Sequence, residues 1–374
     1  MPLISPAALL HAHLSQTPPL RPSRRQPTEP RPIDLNIGAL THTHGSSLVR
    51  IGATTIVCGV RAEILPVADI PSYRSVKKEG ANEDDHLRLY NLLVPNLELS
   101  TGCSPLHPAN AAPSVEAQSI SQRLLSLLHS SRLVRQADLE VTYTAEPLAA
   151  TASSAAELGL LPDDTAQQLK AFWVLYIDML CLSHGGSGSV FDAAWLAMYA
   201  ALHHTRLPKA VWDVDAKQVF CSPVMREARP LRLRGMPVPL SFGIFVPDKT
   251  SVPDEQAREE AARWLVDLDA FEEETVAEAG CVVVDADDVG EAVLHRLEKS
   301  GGAGRIGLSE IRVLVGIAKA RRSQWQRVLH NAGETRRDRI IYRMQYAWSH
   351  QSASTATSLR RSVTAPYWPS ASAL

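Results

Sequence analysis

The chain has 374 residues, enough to bury one large core or two smaller ones, and its 45% content of apolar residues is ordinary for a globular protein. A formal net charge of −2 excludes a chain-wide attraction to nucleic acid or anionic membranes, so any contact with nucleic acid would have to come from a local patch or from partner chains. The five cysteines are widely spaced and show no CxxC or Cys/His ligand pattern, which argues against a disulfide framework and a zinc site.

The hydropathy of the chain predicts an intracellular, soluble protein. The apolar stretch Leu3–Leu14 lacks the basic n-region of a secretory signal and is interrupted by histidines. No apolar run approaches the roughly 20 residues that are needed to span a bilayer. Cys58, Cys181 and Cys281 lie in apolar runs and are predicted to be core residues, which suits a reducing compartment.

Residues 1–32 are predicted to form a short helix and an extended arm. Ser5 followed by Pro6 has the pattern of a helix N-cap with proline at the first helical position. Residues 18–32 are rich in proline and arginine, which is typical of an extended segment. Alternating apolar residues then predict a strand over Ile33–Gly38.

A half-buried hairpin is predicted over Gly45–Glu63. Apolar side chains repeat with a period of two on one face of each strand, and the opposite face is polar or small. The apolar positions are Val49, Ile51, Ile56, Cys58, Val60, Ala62 and Ile64. Gly52 and Ala53 supply the tight turn between the two strands.

The middle of the chain alternates predicted insertions with predicted buried elements. Residues 69–87 are polar and residues 144–168 are rich in alanine and serine, and we interpret both as insertions. Between them, Ser114–Ser131 carries apolar residues at helical spacing, which predicts a helix with one apolar face. Phe172–Leu182 is apolar on both faces apart from Asp178, the pattern of a central strand that is covered on both sides.

Further along, a glycine-rich loop, Gly185–Ser189, precedes a predicted helix over Phe191–His204 whose large apolar residues crowd one face. Strands are predicted at about 210–221, 231–247, 262–268 and 281–285. A helix capped by Ser309 follows. Residues 331–374 are basic and then low in complexity, and we predict that this tail is disordered.

Six blocks carry a family resemblance through their order and spacing: Leu35–Gly38, Gly45–Glu63, Val94–Asn96, Trp173–Asp178, Phe191–Pro208 and the acidic segment formed by Val266–Asp267 with Glu272–Glu274. Together they resemble the RNase PH family, whose members are ring-forming exoribonucleases and their exosome relatives. The resemblance implies an α/β (α+β) RNase PH-like fold, of the ribosomal protein S5 domain 2 type, over residues 33–330. Such a fold has mixed sheets with helices packed on them.

The resemblance also implies a place in a ring of RNase PH-like exosome subunits. RNA would thread through the central channel, an S1-domain cap subunit would lie on one face, and a separately associated hydrolytic nuclease would degrade the RNA. The implied processes are ribosomal RNA processing and mRNA turnover, in the nucleus with its nucleolus and in the cytoplasm.

Phosphorolysis needs a cation that holds phosphate and a carboxylate near the scissile bond. In active family members, a Gly-Gly-Thr-Arg-like loop after the central strand supplies the arginine. The matching loop here carries no cation; its residues are Gly185, Gly186, Ser187, Gly188 and Ser189. Active members also carry an aspartate just past an acidic pair, where this chain has Ala279 or Gly280. The resemblance therefore implies a chain that is not an enzyme and uses no cofactor.

Several polar features have a structural interpretation beside the functional one, and the structural one is favoured for each. The Gly185–Ser189 loop is either a tight strand-to-helix turn or a cradle whose backbone N–H groups hold a phosphate. Asp192, in the predicted first turn of a helix, either stabilises the positive end of the helix dipole or is catalytic. Asp178, as a buried carboxylate, is either a hydrogen-bonded structural residue or a functional acid.

The acidic segment and two tryptophans present the same choice. Asp267, Asp269 and Glu272–Glu274 are either metal ligands or a solvated turn. No histidine or spaced carboxylate completes a ligand shell there, so the turn is favoured and no metal site is predicted. Trp195 and Trp325 have the ring systems needed for base stacking, but both fit apolar helix stripes and are predicted to be core residues.

Basic residues form three clusters, which we interpret as solvated faces or partner contacts rather than phosphate ligands. They are Arg21, Arg24 and Arg25; Arg226, Arg229, Arg232 and Arg234; and Arg321, Arg322, Arg327, Arg336, Arg337 and Arg339. Arg123 is separate, because it lies on the predicted 114–131 helix, which borders the central pore in RNase PH-like subunits. Arg123 and Arg61 are the candidate residues of an RNA path.

Three functions remain open at this point. The first is a non-catalytic structural subunit of the RNA exosome ring. The second is an active phosphate-dependent 3′→5′ exoribonuclease that uses Arg123 or Arg61 as its phosphate ligand. The third is a nucleotide-binding small-molecule kinase that uses the Gly185–Ser189 loop. The missing cation and aspartate favour the first.

Overall fold

The structure is a computed structural model that describes residues 5–71, 73, 85–104, 107–108, 114–143, 168–248, 252–254, 256–257, 261–286, 290–301 and 307–361. Side chains are described in these ranges apart from those of residues 85, 187 and 335–361. The predicted insertions at 69–87 and 144–168 lie largely outside the described residues. Met1–Val328 and Leu329–Leu374 form two separate units.

The helices include α1 (Pro6–Leu14), α2 (Asp85–Leu89), α3 (Val115–Ser130), α4 (Gln136–Leu139), α5 (Ser187–His204), α6 (Ala270–Thr275) and α7 (Leu308–Arg361), and a 3-10 turn covers Val67–Asp69. The strands are β1 (Ile33–Ile37), β2 (Gly45–Ile51), β3 (Thr54–Pro66), β4 (Leu93–Leu99), β5 (Glu140–Tyr143), β6 (Gln168–Ser183), β7 (Arg206–Leu207), β8 (Ala210–Asp213), β9 (Gln218–Cys221), β10 (Arg229–Pro230), β11 (Val238–Phe245), β12 (Arg263–Val266), β13 (Glu278–Ala286) and β14 (Ala292–Ser300).

The first sheet has the strand order β1–β2–β3–β6–β4, and β5 pairs with β6. Strands β1, β2 and β3 are antiparallel neighbours, whereas β4 runs parallel to β6. The predicted hairpin is confirmed as β2 and β3, in which Val49 lies opposite Ile56 and both side chains are fully buried. Gly52 has φ = +57°, a conformation that favours glycine, and it forms the turn.

Strand β6 lies in the interior of this sheet but is covered on both faces only over part of its length. All side chains from Ala171 to Leu175 are buried. Further along, Asp178, Leu180 and Leu182 are exposed and alternate with buried neighbours. The prediction of a strand covered on both sides is therefore wrong for this end. The interpretation of Asp178 as a buried carboxylate is also wrong, because its side chain faces solvent.

The two predicted helix starts in the N-terminal half are confirmed. The Ser5 side chain accepts a hydrogen bond at the start of α1, and the Ser114 side chain does the same for α3. Leu10 and Leu14 of α1 belong to a buried apolar cluster, and Ile120 of α3 is buried on the predicted face. All five cysteines are free, and four of them are buried.

Helix α5 contacts β2 and β3 of the first sheet as well as β11 of the second. Every side chain from Ser189 to Leu202 is buried, so the helix is covered all round and not only on the predicted face. Trp195 is fully buried and donates a hydrogen bond from Nε1 to the Pro237 carbonyl at 2.6 Å. The prediction of Trp195 as a core residue is confirmed.

The second sheet is antiparallel, with the strand order β12–β11–β13–β14. Leu240 and Phe242 of this sheet form a buried cluster with Leu314 and Ala318 of α7. Trp325 lies about two turns after Ala318 in α7 and is fully buried, which confirms the prediction that it is a core residue. Strand β14 is absent from the sequence prediction because charged residues interrupt its apolar positions.

Helix α7 begins at Leu308, so Ser309 lies inside its first turn and is not the predicted cap. The helical backbone continues to Arg361, within the tail for which the composition predicts disorder, and residues 362–374 of that tail lie outside the described residues. Alanine, arginine and glutamine in this stretch are good helix formers and extend a helix that is already begun. Among the described residues, none of the helices combines the length and the hydropathy needed to cross a membrane.

Candidate functional site

The glycine-rich segment between β6 and α5 forms a shorter turn than predicted. Helix α5 begins at Ser187, so residues 187–189 form its first turn and Phe191 is not its start. The turn itself spans residues 184–186. Gly186, the last residue before the helix, has φ = +110°, a backbone conformation that side chains other than glycine rarely adopt.

A carboxylate of the chain itself occupies the N-terminal end of α5. The backbone N–H of Gly188 donates a hydrogen bond to Glu273 Oε1 at 2.6 Å. A Cβ atom at Gly186 would lie 2.8 Å from Glu273 Oε2, so glycine is what allows the carboxylate to come this close. The first-turn N–H groups and the helix dipole stabilise an anion at this position. The turn is therefore also an anion cradle, and Glu273 fills it.

Asp192 lies in the second turn of α5, which corrects the interpretation of a first-turn residue that stabilises the helix dipole. Its buried carboxylate accepts hydrogen bonds from the Ser241 N–H at 3.1 Å and from the Ser241 hydroxyl at 3.0 Å. Arg321 of α7 approaches it to 3.5 Å. Burial raises the pKa of Asp192, and the charge of Arg321 offsets part of that shift. Asp192 thus links α5 to β11 and α7.

Asp267 is at the centre of a buried ionic network. Its carboxylate accepts hydrogen bonds from the Arg31 backbone N–H at 2.6 Å and from Arg31 Nε at 3.1 Å, and Arg321 lies 3.7 Å away. Asp267 and Arg321 are almost completely buried, and Arg31 is 6% exposed. Burial alone would raise the pKa of Asp267, but Arg321 and Arg31 hold it at about 2.

A second buried pair joins the N-terminal arm to the acidic segment. Arg21 Nη1 donates a hydrogen bond to Glu272 Oε2 at 3.1 Å, and both side chains are fully buried. The Arg21 guanidinium also donates to the carbonyls of Pro27 and Val266. Burial lowers the pKa of Arg21, and Glu272 opposes this effect. These contacts hold the arm against β12 and α6.

These pairs correct two interpretations from the sequence. The acidic segment is not a solvated turn, because Asp267 and Glu272 are buried and face guanidinium groups. The basic clusters are not entirely solvated either, because Arg21 and Arg321 are buried in the same network. A buried charge is costly unless it is paired, so the network serves to join the arm, α5, β12 and α7.

The two RNA-path candidates differ in their exposure. Arg123 Nη2 contacts Glu298 Oε2 at 2.8 Å, and its guanidinium lies over the Phe191 ring, 4.1 Å from the ring centre. The Arg61 side chain is 60% exposed and contacts Glu63 at 3.2 Å. Each arginine is paired with a carboxylate, and Arg61 is the more accessible to a ligand.

Ala279 and Gly280, where the family resemblance implies an aspartate in active members, lie in β13. Ala279 is exposed. A Cβ atom at Gly280 would lie 2.4 Å from the Phe242 ring and 2.5 Å from the Glu298 carbonyl oxygen. Position 280 therefore has no room for the carboxylate that active family members carry in this region.

Sequence reasoning missed Arg31 and the role of Glu273 because their contacts join distant segments. Arg31 and Asp267 are 236 positions apart, and Gly188 and Glu273 are 85 positions apart. Local spacing carries no sign of such pairs. The sequence offers only a weak indication of these pairs. A charged residue directly beside an apolar strand can become buried, and a buried charge needs a partner.

The fold and this region define a protein of the RNase PH type, with a helix between two sheets and a glycine-rich turn at the helix start. The chain belongs to the RNase PH family, as its residues 29–208 match the family described as "3' exoribonuclease family, domain 1". The exosome complex component rrp43 of Schizosaccharomyces pombe is 30% identical over 263 residues, which are 70% of this chain and 79% of that protein. The predicted family resemblance is confirmed.

Archaeal proteins show the same relationship. The exosome complex component Rrp42 of Pyrococcus abyssi is 24% identical over 213 residues, which are 57% of this chain and 60% of that protein. A chain of the solved Archaeoglobus fulgidus exosome with RNA bound to the active site matches with a TM-score of 0.54 and 17% identity, covering 86% of this chain and 96% of that chain. At this identity the likeness establishes the fold, and the predicted fold class is confirmed.

Proposed function

We propose that the chain is a non-catalytic structural subunit of an RNA exosome ring. Its relatives in Schizosaccharomyces pombe and in archaea are named as exosome complex components. The single observation that carries the non-catalytic part is the Glu273 carboxylate at the N-terminal end of α5. Glu273 belongs to α6, and its carboxylate contacts the segment that matches the loop supplying the phosphate-binding arginine in active family members.

Electrostatics support this proposal. The Gly185–Ser189 segment contains no arginine or lysine, so no cation on it attracts phosphate. Glu273 adds a negative charge and takes the Gly188 N–H as its donor. Like charges about 4 Å apart repel by about 1 kcal/mol in water and by more in a partly buried site. Phosphate binding would therefore have to displace Glu273 without a cation to favour the exchange.

Exposed apolar side chains are consistent with a subunit that is covered in an assembly. Val211 and Phe220 lie opposite each other in the β8–β9 hairpin, and each is 52% exposed. Met225 is 74% exposed. A group of large apolar residues on a surface is typical of a protein-binding face. In the proposed ring, the neighbours are other RNase PH-like subunits, and an S1-domain cap subunit lies on one face.

The proposed subunit shapes a channel and leaves the chemistry to another protein. RNA passes through the ring, with Arg61 and Arg123 as candidates for contact, and reaches an associated hydrolytic nuclease. Ribosomal RNA processing and mRNA turnover are the corresponding processes, in the nucleus with its nucleolus and in the cytoplasm.

Affinity purification of the full chain from its own cells tests the assembly. We expect several RNase PH-like chains and an S1-domain protein to co-purify in near-equal amounts. Recovery of the chain alone, as a monodisperse monomer, would contradict a ring subunit.

A phosphorolysis assay tests the non-catalytic part of the proposal. When the purified chain is mixed with single-stranded RNA and inorganic phosphate, it should release no nucleoside diphosphates, whereas an active RNase PH should release them from the same RNA. Phosphate-dependent release by this chain would refute its non-catalytic role.

A further inference from the structure

Two histidines and a glutamate converge at the end of β6, beside the start of α3. His184 Nε2 lies 2.9 Å from Glu116 Oε1, and His107 Nε2 lies 3.6 Å from Glu116 Oε2. The three ligand-capable atoms all lie within 4.8 Å of one another. The three residues come from separate segments, so their spacing in the sequence does not indicate a metal site.

We propose that His107, Glu116 and His184 form a zinc(II)-binding site. Two imidazole nitrogens and one carboxylate are the donor set of zinc sites that have three protein ligands and an open fourth position. Imidazole suits zinc better than calcium or magnesium, which prefer oxygen ligands alone. This inference is independent of the proposed ring function.

His107 supplies a separate observation in favour of a ligand. Its Nε2 atom is buried and has no hydrogen-bond partner among the described residues. The 3.6 Å separation from Glu116 Oε2 is too long for a hydrogen bond. It is close to the separation of about 3.4 Å between two tetrahedral ligands whose bonds to zinc are about 2.1 Å long. An ion bound to His107 Nε2 would give this buried atom a partner.

The site also has a route to solvent. His107 lines a cleft of about 550 Å³ between β4 and α3. The cleft walls include the polar side chains of Asn96, Gln118 and Ser121. A hydrated ion can enter through such a cleft, and a water molecule can remain as the fourth ligand.

Zinc binding at His184 has a structural consequence at the start of α5. In the structure, the Gly186 N–H donates a hydrogen bond to His184 Nδ1 at 3.2 Å, which leaves the ring proton on Nε2 for Glu116. A zinc ion on Nε2 requires that this proton reside on Nδ1, so Nδ1 becomes a donor and the contact with Gly186 opens. Zinc therefore couples the site to the turn before α5.

Titration calorimetry of the full chain with zinc chloride tests the proposal, with its co-purified partners present if the chain needs them. We expect one equivalent of zinc to bind, and cobalt(II) to give the visible absorption of a tetrahedral site. Glu116→Gln, His107→Gln and His184→Asn should each weaken zinc binding at least about tenfold. The control is His330→Gln, since His330 forms a surface pair with Glu334 and is 73% exposed. It should bind zinc like the unchanged chain.

Two further readouts keep the test decisive if a variant folds poorly. His107→Gln removes an atom that has no hydrogen bond, so this variant should fold, and zinc should raise the melting temperature of the unchanged chain but not of this variant. Amide exchange at Gly186 should become faster when zinc binds. The assignment would be overturned if the chain took up no zinc, if the three variants bound zinc as tightly as the unchanged chain, or if amide exchange at Gly186 were the same with and without zinc.

Discussion

The Gly188 N–H and the Glu273 carboxylate are joined by a hydrogen bond of 2.6 Å that connects the start of α5 to α6. The carboxylate lies where the helix dipole is positive, and the glycines of the turn allow its approach. An internal anion thus occupies the end of α5 at which the helix dipole favours negative charge. The contact gives the start of α5 a negatively charged partner from within the chain.

Replacement of Glu273 by alanine should lower the free energy of unfolding by about 1–3 kcal/mol, because the Gly188 N–H loses a charged acceptor. Urea denaturation measures the change. Glu274→Ala is the matched control, since Glu274 is exposed on the same helix and its loss should cost less than about 0.5 kcal/mol. Equal losses in the two variants would show that the contact at α5 contributes nothing.

Asp267→Asn should destabilise the chain by about 3–5 kcal/mol, because Arg31 and Arg321 would keep their buried charges without a carboxylate. Thermal and urea unfolding of the purified chain measure this. Asp254→Asn removes an exposed carboxylate and should change stability by less than about 0.5 kcal/mol. A loss below about 1 kcal/mol at Asp267 would mean that the network is energetically neutral.

The low pKa of Asp267 predicts that the free energy of unfolding falls in acid. The pKa of Asp267 is about 2 in the folded chain, against an ordinary value of 3.8, so the unfolded chain takes up the proton first as the pH falls. Its contribution, about 2 kcal/mol, is complete above about pH 4 and is lost as the pH falls towards 2. Urea unfolding at pH 5, 4 and 3 should show the gap between the unchanged chain and Asp267→Asn narrowing. Burial raises the pKa of Asp192 and acts in the opposite sense in both chains, and the charge of Asp267 adds to that rise only in the unchanged chain.

Gly280→Asp should destabilise the chain by about 1–3 kcal/mol and should not restore phosphorolysis. The new Cβ atom would meet the Phe242 ring and the Glu298 carbonyl. Ala279→Asp, at the neighbouring exposed position, should cost less than about 1 kcal/mol. Thermal melts compare the two variants. If position 280 proved the more tolerant, the packing around β13 would differ from that described.

Arg61→Ala should leave stability within about 0.5 kcal/mol of the unchanged chain, because an exposed pair with Glu63 contributes little. If Arg61 lies on an RNA path, the assembled complex carrying this variant should retain single-stranded RNA more weakly at moderate salt. Filter binding over a salt series measures retention. Arg50→Ala, an exposed arginine at the other end of the hairpin, is the control. Indistinguishable retention would remove Arg61 from the candidates.

Much of the fold was predictable, because short-range patterns report it. The period-two alternation of β2 and β3, and the caps at Ser5 and Ser114, each depend on residues within a few positions of one another. Strand β14 and the exposed end of β6 were not predictable in this way. In β14, charged residues interrupt the alternation of apolar side chains. Whether other elements cover the end of β6 depends on tertiary packing, which local sequence patterns do not report.

The candidate site also has features that residue identity alone shows and features that only tertiary packing shows. By itself, the sequence determined the family, the absence of a cation on Gly185–Ser189 and the small residues at Ala279 and Gly280, because these are matters of residue identity in order. Only the tertiary structure decided that Glu273 fills the anion cradle and that Asp267 faces two buried arginines. The physical reason is that a charge acquires its role from its surroundings. A carboxylate is solvated, paired or raised in pKa according to groups that the fold brings near it from distant parts of the chain.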